Sequence, residues 1–300
     1  MNDQMIQKII ANRIPCYFIS PHLDDAVLSA GGLIAHLSKH TQVEVVTVFT
    51  NASPRPYTFS IKMLLNQCEY IDADELFTDC RREDREACAL VGAKPHHLGH
   101  TDALWRKIPS PHILRRILSH VLPEFLYVYP TYRMHVIRGG ISRYDKSLVE
   151  TLGKELSAIV AERKDAIIFC PLALRSHIDH VLVRDVCLAN FDNVFMWQDF
   201  PYNMKNGLGT KEISSLGKEA FRWDAEKDMK KKMIESYVSQ IHAMFPDGNI
   251  PLVPEVYYTA SKYALAWAQN FEWQKSSHSF LDSMSRNYTS LLEYHALLAK

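Results

Sequence analysis

The stretch "PCYFISPHLDDAVLSAGGLIAHLSKHTQVEVVTVFT", residues 15 to 50, constrains the fold more than any other part of the chain. "PCYFIS" is a short β-rich run that stops at Pro21. "DDAVLSAGGLIAHLSKH" then carries apolar residues at helical spacing. Its acidic residues stand at the start and Lys39 and His40 at the end, as a helix dipole favours. "QVEVVTVFT" is an almost continuous β-branched run, the pattern of a strand covered on both faces. Strand, helix and strand within about 35 residues form a βαβ unit, which predicts a parallel sheet with helices packed on it.

The alternation continues. "CRREDREACALVGA" predicts a helix ending at Gly92, "PHHLGH" a weak strand, and "EFLYVYP" a clear strand closed by Pro130. "KSLVETLGKELSAIVAERK" predicts a long amphipathic helix, "DAIIFCPLAL" a buried strand, "SHIDHVLVRDVCLANF" a helix, and "NVFMWQDF" a strand ending near Pro201. Residues 51 to 80 and 131 to 146 read as irregular and are expected to wall a pocket. Beyond Pro201 the alternation loosens: "KDMKKKMIESYVSQIHAMF" reads as helix, with "KDMKKK" as its solvated face, and "PDGN" as a turn. No repeat or composition shift marks a boundary. The expectation is one domain over 1–300, with a core at about 15–242 and a mainly helical C-terminal extension over 243–300.

Composition narrows the function. Lys and Arg number 34 against 34 Asp and Glu, which argues against a broad electrostatic grip on nucleic acid. The six cysteines are scattered without a C-x-x-C pair, as expected of free thiols in a reducing compartment. The N-terminal "MNDQMIQKIIANRIP" lacks a signal peptide's apolar region, and no apolar run approaches the roughly 18 residues of a membrane span. The chain reads as a cytoplasmic protein without membrane or nucleic-acid partners.

Sites in open parallel sheets form at the carboxyl ends of strands. Two such junctions carry related residues: "SPHLDDA" after the first strand and "LRSHIDHV" after "AIIFCPLAL". His22 and Asp25 are three apart, as are His177 and His180, which turns each pair toward one helix face. Ser176 can cap its helix, with Asp179 completing a capping box. Imidazole nitrogen with carboxylate oxygen is a zinc ligand set, and a catalytic site keeps three protein ligands and an open position. His22, Asp25 and His180 would supply the three, leaving Asp24 to take a proton. Helix capping by the aspartates is the competing reading, and the residues alone leave both open.

"PHLDDAVLSAGG" with "SHIDHVLV" resembles the PIG-L/LmbE-like family of zinc-dependent deacetylases acting on N-acetylglucosaminyl compounds. "REDREACALVGAKPHHLGHTDALWR", "WQDFPY" and "KKKMIESYVSQ" are similar to further family segments, so the resemblance spans roughly residues 15 to 242. It implies an α/β, Rossmann-like, mostly parallel sheet with helices on both faces. It implies His22, Asp25 and His180 as ligands of Zn2+ (Fe2+ being the alternative), Asp24 as general base, and His177 as acid or electrostatic group. Asp102 matches an aspartate that binds sugar hydroxyls. A substrate-contacting arginine falls on Cys80 or, with a small shift, on Arg81, and Arg106 has a similar standing. Trp105, Tyr132 and Tyr144 are candidates to stack on a sugar ring, with ordinary packing as the alternative. Two departures stand out: Leu23 replaces the motif proline and Ala26 the motif glutamate, and neither removes a ligand or the base.

The implied activity is amide hydrolysis that releases acetate from a small N-acetylated amino sugar or glycoside, such as an antibiotic precursor. A zinc amidase cleaving a larger acyl or aminoacyl group, and an inactive scaffold, are the rivals. A dinucleotide-binding protein is disfavoured, because the only glycine cluster near the first helix, "AGG" at 30–32, lies inside that helix. Self-association into a homo-oligomer is left open.

Overall fold

The β-branched runs assemble as a single seven-stranded sheet in the computed structural model, which describes residues 2–137, 140–160, 163, 165–173, 177–204 and 217–260. The strands are β1 (Cys16–Ser20), β2 (Val43–Asn51), β3 (Lys94–Thr101), β4 (Ile167–Pro171), β5 (Val194–Trp197), β6 (Gly217–Trp223) and β7 (Glu255–Ala260). Their order is β3-β2-β1-β4-β5-β7-β6. The first five are parallel, and β7 runs antiparallel to both β5 and β6. The helices are α1 (Asn2–Ala11), α2 (Asp25–Leu37), α3 (Phe59–Gln67), α4 (Ala73–Ala89), α5 (Ile113–Leu118), α6 (Lys146–Val160), α7 (Ile178–Asn190), α8 (Lys227–Glu235) and α9 (Val238–Met244).

Alternate residues of each strand face opposite sides, so each sheet face builds its own core. Phe18, Val45, Phe169, Trp197 and Tyr257 meet α1, α2, α4 and α8 on one side. Ile19, Val46, Ile168, Cys170 and Met196 meet α6 and α7 on the other. A third cluster, built from Leu23, Tyr57, Ile61, Trp105, Tyr127, Tyr129 and Ile178, lies under the loops at the carboxyl ends of the parallel strands. The chain leaves β1 toward β2 on one side, while β4 pairs with β1 on the other. The crevice between the ends of β1 and β4 is therefore the topological switch point, where α/β sheets bind their ligands.

Several expectations need correction. Residues 51 to 80 are less irregular than their composition suggests, since α3 and the start of α4 occupy much of them. "EFLYVYP" is not a strand: Lys107 and Tyr127 form one isolated antiparallel bridge. Its alternation serves loop packing instead, with Tyr127 and Tyr129 buried in the third cluster. The helix expected after residue 227 is broken into α8 and α9. The "KDMKKK" face is not wholly solvated, because Lys230 is buried and paired with Glu255 at 2.9 Å.

Of the expected C-terminal extension, residues 243–260 are described, and there residues 255–260 form β7, the second strand from one edge of the sheet. "EVYYTA" has the β-branched and aromatic content of a strand, and both of its partners, β5 and β6, precede it in the chain. Residues 261–300 lie outside the described part.

Candidate active site

The loop after β1 is shaped by Ser20. Its hydroxyl donates to the His22 carbonyl at 2.7 Å and accepts from the Ala26 amide at 3.0 Å. Ser20 thus supplies the side-chain cap at the start of α2. Asp24 holds the N-cap position of that helix, yet its carboxylate makes no cap hydrogen bond. The capping reading does not describe Asp24. Its buried carboxyl is pushed up to about 8 by burial, reinforced by the neighbouring Asp25 charge.

Asp25 Oδ2 is the meeting point of the two loops. It accepts from the His22 amide at 3.0 Å, lies 3.0 Å from His22 Nδ1, and lies 3.2 Å from His180 Nε2. Burial alone would raise the Asp25 pKa, but His180 and His22 hold it well below the usual carboxylate range. His180 enters from the first turn of α7, and its Nδ1 is held by Asp199 Oδ1 at 2.8 Å. That outer carboxylate orients the ring so that Nε2 faces the site, as is common for metal-binding histidines. Burial opposes a proton on His180, yet Asp25 and Asp199 together lift its pKa to about 10.

The potential ligand atoms of His22, Asp25 and His180 lie within 4.8 Å of one another. A second triad, His22, His177 and Asp179, meets the same limit. Asp179 is already engaged: Oδ1 accepts from Arg106 Nη2 at 2.6 Å, and Oδ2 accepts from the Ala103 amide at 2.8 Å and lies 3.2 Å from His22 Nε2. The first triad, with an outer carboxylate behind His180, is the better match to a cation. The surroundings agree, because Asp24, Asp25, Asp102, Asp179 and Asp199 surround three histidines and Arg106. A divalent ion would balance this excess of buried carboxylate, so the residues present fit a metal.

Ser176, the expected cap of α7, lies outside the described residues. His177 holds the N-cap position without a side-chain cap bond. Asp179 does not complete a capping box; it faces away from its own helix end, toward His22, Arg106 and Ala103. The His177 ring lies edge-on to His22 at 5.1 Å and tilted to His180 at 5.0 Å, and its buried Nδ1 has no partner among the described residues. Burial and the two neighbouring imidazoles hold its pKa well below the usual histidine value, so the ring is neutral.

The expected substrate residues fall in different places. Asp102 is at the cluster: Oδ2 lies 3.1 Å from His22 Nε2, while Oδ1 caps a short 3-10 turn through the Leu104 amide at 2.7 Å. Arg81 is on the rim, tied to the Thr50 carbonyl at 2.8 Å and the Asn51 side chain at 2.9 Å at the end of β2. Cys80 is buried beside Ser239 instead. Arg106 is not on the rim. Its buried guanidinium spans Asp179 and Asp145, the latter at 2.9 Å, and the Thr101 carbonyl. It is a strut beneath the site, because its donors are engaged by carboxylates and a carbonyl. Tyr144 sits half-buried against Arg143, 5.2 Å from guanidinium carbon to ring centre, one residue before Asp145. Trp105 is core, its ring 5.1 Å from Phe77.

Two contributors were not singled out from sequence. Asp199 orients His180, and Tyr202 places its ring 6.2 Å from His180, across from Tyr132, which lies 6.0 Å from His177. Both belong to "WQDFPY", a segment quoted above only for its resemblance.

Among solved structures, the zinc-inhibited form of teicoplanin deacetylase Orf2 superposes with a TM-score of 0.63 at 21% identity, over 83% of this chain and 99% of that one. The A40926 pseudoaglycone deacetylase Dbv21 gives 0.61 at 20% identity, over 84% of this chain and 98% of that one. At these identities the likeness establishes the fold. A search of curated proteins finds no match. The family described as PIG-L, GlcNAc-PI de-N-acetylase, matches residues 17–191, a span running from β1 past α7 and so containing both loops that meet at Asp25. With more than half of the chain and both motif-bearing junctions inside that match, the protein belongs to the PIG-L family of de-N-acetylases, hydrolases of N-acetyl amides.

Proposed function

We propose that the protein hydrolyses the acetamide of an N-acetylglucosaminyl-type small molecule, with His22, Asp25 and His180 holding zinc and Asp24 acting as general base. Ferrous iron is the alternative occupant. The observation that carries this reading is the Asp24 carboxyl: buried, not engaged in capping α2, and adjacent to the convergent His22, Asp25 and His180.

His22, Asp25 and His180 would hold a divalent ion, which when bound would supply polarisation of the amide carbonyl and acidification of water. Asp24 takes a proton from the attacking water as the new C–O bond forms. His177, a neutral imidazole facing the same space, directs an N–H toward the oxyanion that develops on the carbonyl oxygen. Asp24 then returns its proton to the amide nitrogen as the C–N bond breaks, so that a free amine and acetate leave. Arg106 and Asp179 keep His22 in place throughout. Asp102, the rim residue Arg81 and Tyr144 are assigned to the sugar. The glycopeptide deacetylases that share the fold support an amino-sugar-bearing antibiotic precursor as the substrate class.

The test combines elemental analysis with acetate release from a panel of N-acetylglucosaminides. Asp24→Asn is expected to retain metal at the parent stoichiometry and to lose about 10²- to 10⁴-fold in turnover. His180→Ala is expected to lose the metal itself. Near-parental turnover by Asp24→Asn would remove Asp24 from the mechanism, and metal retained at full affinity by His180→Ala would reject the ligand set.

A further inference from the structure

The segment between Arg106 and Pro123 exposes apolar side chains at its far end, whereas Ile108 near its start is buried. Its two ends run together as a short antiparallel stem: the Ile108 amide donates to the Leu126 carbonyl at 2.8 Å and the Val128 amide to the Arg106 carbonyl at 2.9 Å. Helix α5 sits at the far end of that stem. At 100° per residue, Ile113, Ile117, Leu114 and Leu118 occupy one side of the helix, and Arg115 and Arg116 the other. The apolar side faces out. Ile113 is 61% exposed, Leu114 57% and Ile117 58%, and Val121 in the turn that follows is 82% exposed, whereas Ser119 is buried. Arg115 reaches back to the Phe125 carbonyl at 3.4 Å, tying the polar side to the stem. Among the described residues nothing covers the apolar side, and exposed apolar surface of this kind marks an interaction site.

Charge selects the partner. From Lys107 to Leu122 the sequence contains Lys107, Arg115 and Arg116 and no acidic residue, in a chain whose formal net charge is zero. A symmetric contact between two copies would present the same patch to itself and bring the arginines of both copies together. Insertion into a protein groove uses anchors spaced along several helical turns, and α5 has only six residues. A bilayer demands no matching shape. It accepts an apolar tip below the headgroups while flanking cations reach anionic phosphates.

We propose that the 107–122 tip docks the protein peripherally on an anionic lipid surface. The described helices include none long and apolar enough to cross a membrane, and the proposal needs none. The stem is rooted at Arg106, the strut beneath the candidate active site, so a docked tip holds that site next to the lipid–water boundary.

Co-sedimentation of the full chain tests this with vesicles of phosphatidylcholine mixed with phosphatidylglycerol, and with vesicles of phosphatidylcholine alone. The readout is partitioning, so it stands apart from the assignment of the hydrolytic activity. The parent is expected to favour the mixed vesicles, and added salt to weaken that preference. Ile113→Ser with Ile117→Ser is expected to lower partitioning by about tenfold or more, with an unchanged melting temperature. Arg116→Glu is expected to lower partitioning onto the mixed vesicles only. A parent that binds neither vesicle, or a double variant that binds like the parent, overturns the proposal. A parent dimer in sedimentation velocity that the double variant dissolves would assign the tip to a second copy instead.

Discussion

Asp25 Oδ2 is approached by three nitrogens within 3.2 Å, and each arrives by a different local cause. The His22 amide is delivered by the turn that Ser20 braces, the His22 ring by Asp102 and Asp179, and the His180 ring by Asp199. Removing an outer support should therefore weaken metal binding without emptying the ligand set. Asp199→Asn is expected to lower metal affinity by about 10- to 100-fold, measured by competition with a chromogenic chelator, while the fold persists. Affinity equal to that of the parent would show that His180 needs no outer carboxylate. At this scale sequence goes far: His22, Asp24, Asp25, His177 and His180 stand in two short motifs at inferred strand ends. Asp199 and Tyr202 did not stand out, because neither follows a strand end at metal-ligand spacing. Arg106 stood as a candidate substrate contact because sequence does not reveal that Asp145 and Asp179 lie within its reach.

At the scale of elements, α2 is held by its middle. Glu255 of β7 accepts from the Gly32 amide at 2.7 Å and the Leu33 amide at 3.1 Å, and it is met by Lys230 of α8 and by Tyr257 at 2.8 Å. Gly32 permits this approach, since a Cβ there would lie 2.7 Å from the Ala225 carbonyl oxygen. The "AGG" that excluded a phosphate-binding loop is therefore a packing notch for the chain leading into α8. Glu255→Ala would leave Lys230 buried and uncompensated, with an expected loss of about 3–5 kcal/mol in urea denaturation. Adding Lys230→Met should recover much of that loss, and no recovery would mean that the amide contacts dominate. The β1–α2–β2 unit was legible because its periodicities are local. β7 was not, because its place between β5 and β6 depends on partners remote in sequence, and α5 defies the rule that apolar faces turn inward.

Across the whole molecule, burial sets how stability responds to pH. Asp185, on α7 away from the candidate ligands, lies beside Arg184 at 2.8 Å, yet burial outweighs that attraction and raises its pKa from 3.8 to about 6. The folded state then binds the proton more tightly than the unfolded state. The resulting stabilisation is present in full below about pH 4 and is lost as pH rises through about 6. Asp185→Asn has no such proton to lose. The stability of the parent relative to this variant is expected to fall between pH 4 and 7 in paired urea melts, and a constant difference would contradict the assignment. All six cysteines are free, five of them buried, in keeping with their scattered spacing. The sheet as a whole was legible as α/β and mostly parallel, and its antiparallel edge was not.

The clamp on α2 also has a consequence in time. Glu255 lies 223 residues after Gly32. At about 5–20 residues per second of synthesis, the carboxylate that secures the middle of α2 leaves the ribosome roughly 10 to 45 s after the helix does. The first strand and both motif aspartates thus emerge well before Glu255 does. The helix that carries Asp25 is locked at its middle only once β7 has appeared. A ribosome that stalls before residue 255 would release a chain holding every candidate ligand but lacking the strand that steadies them.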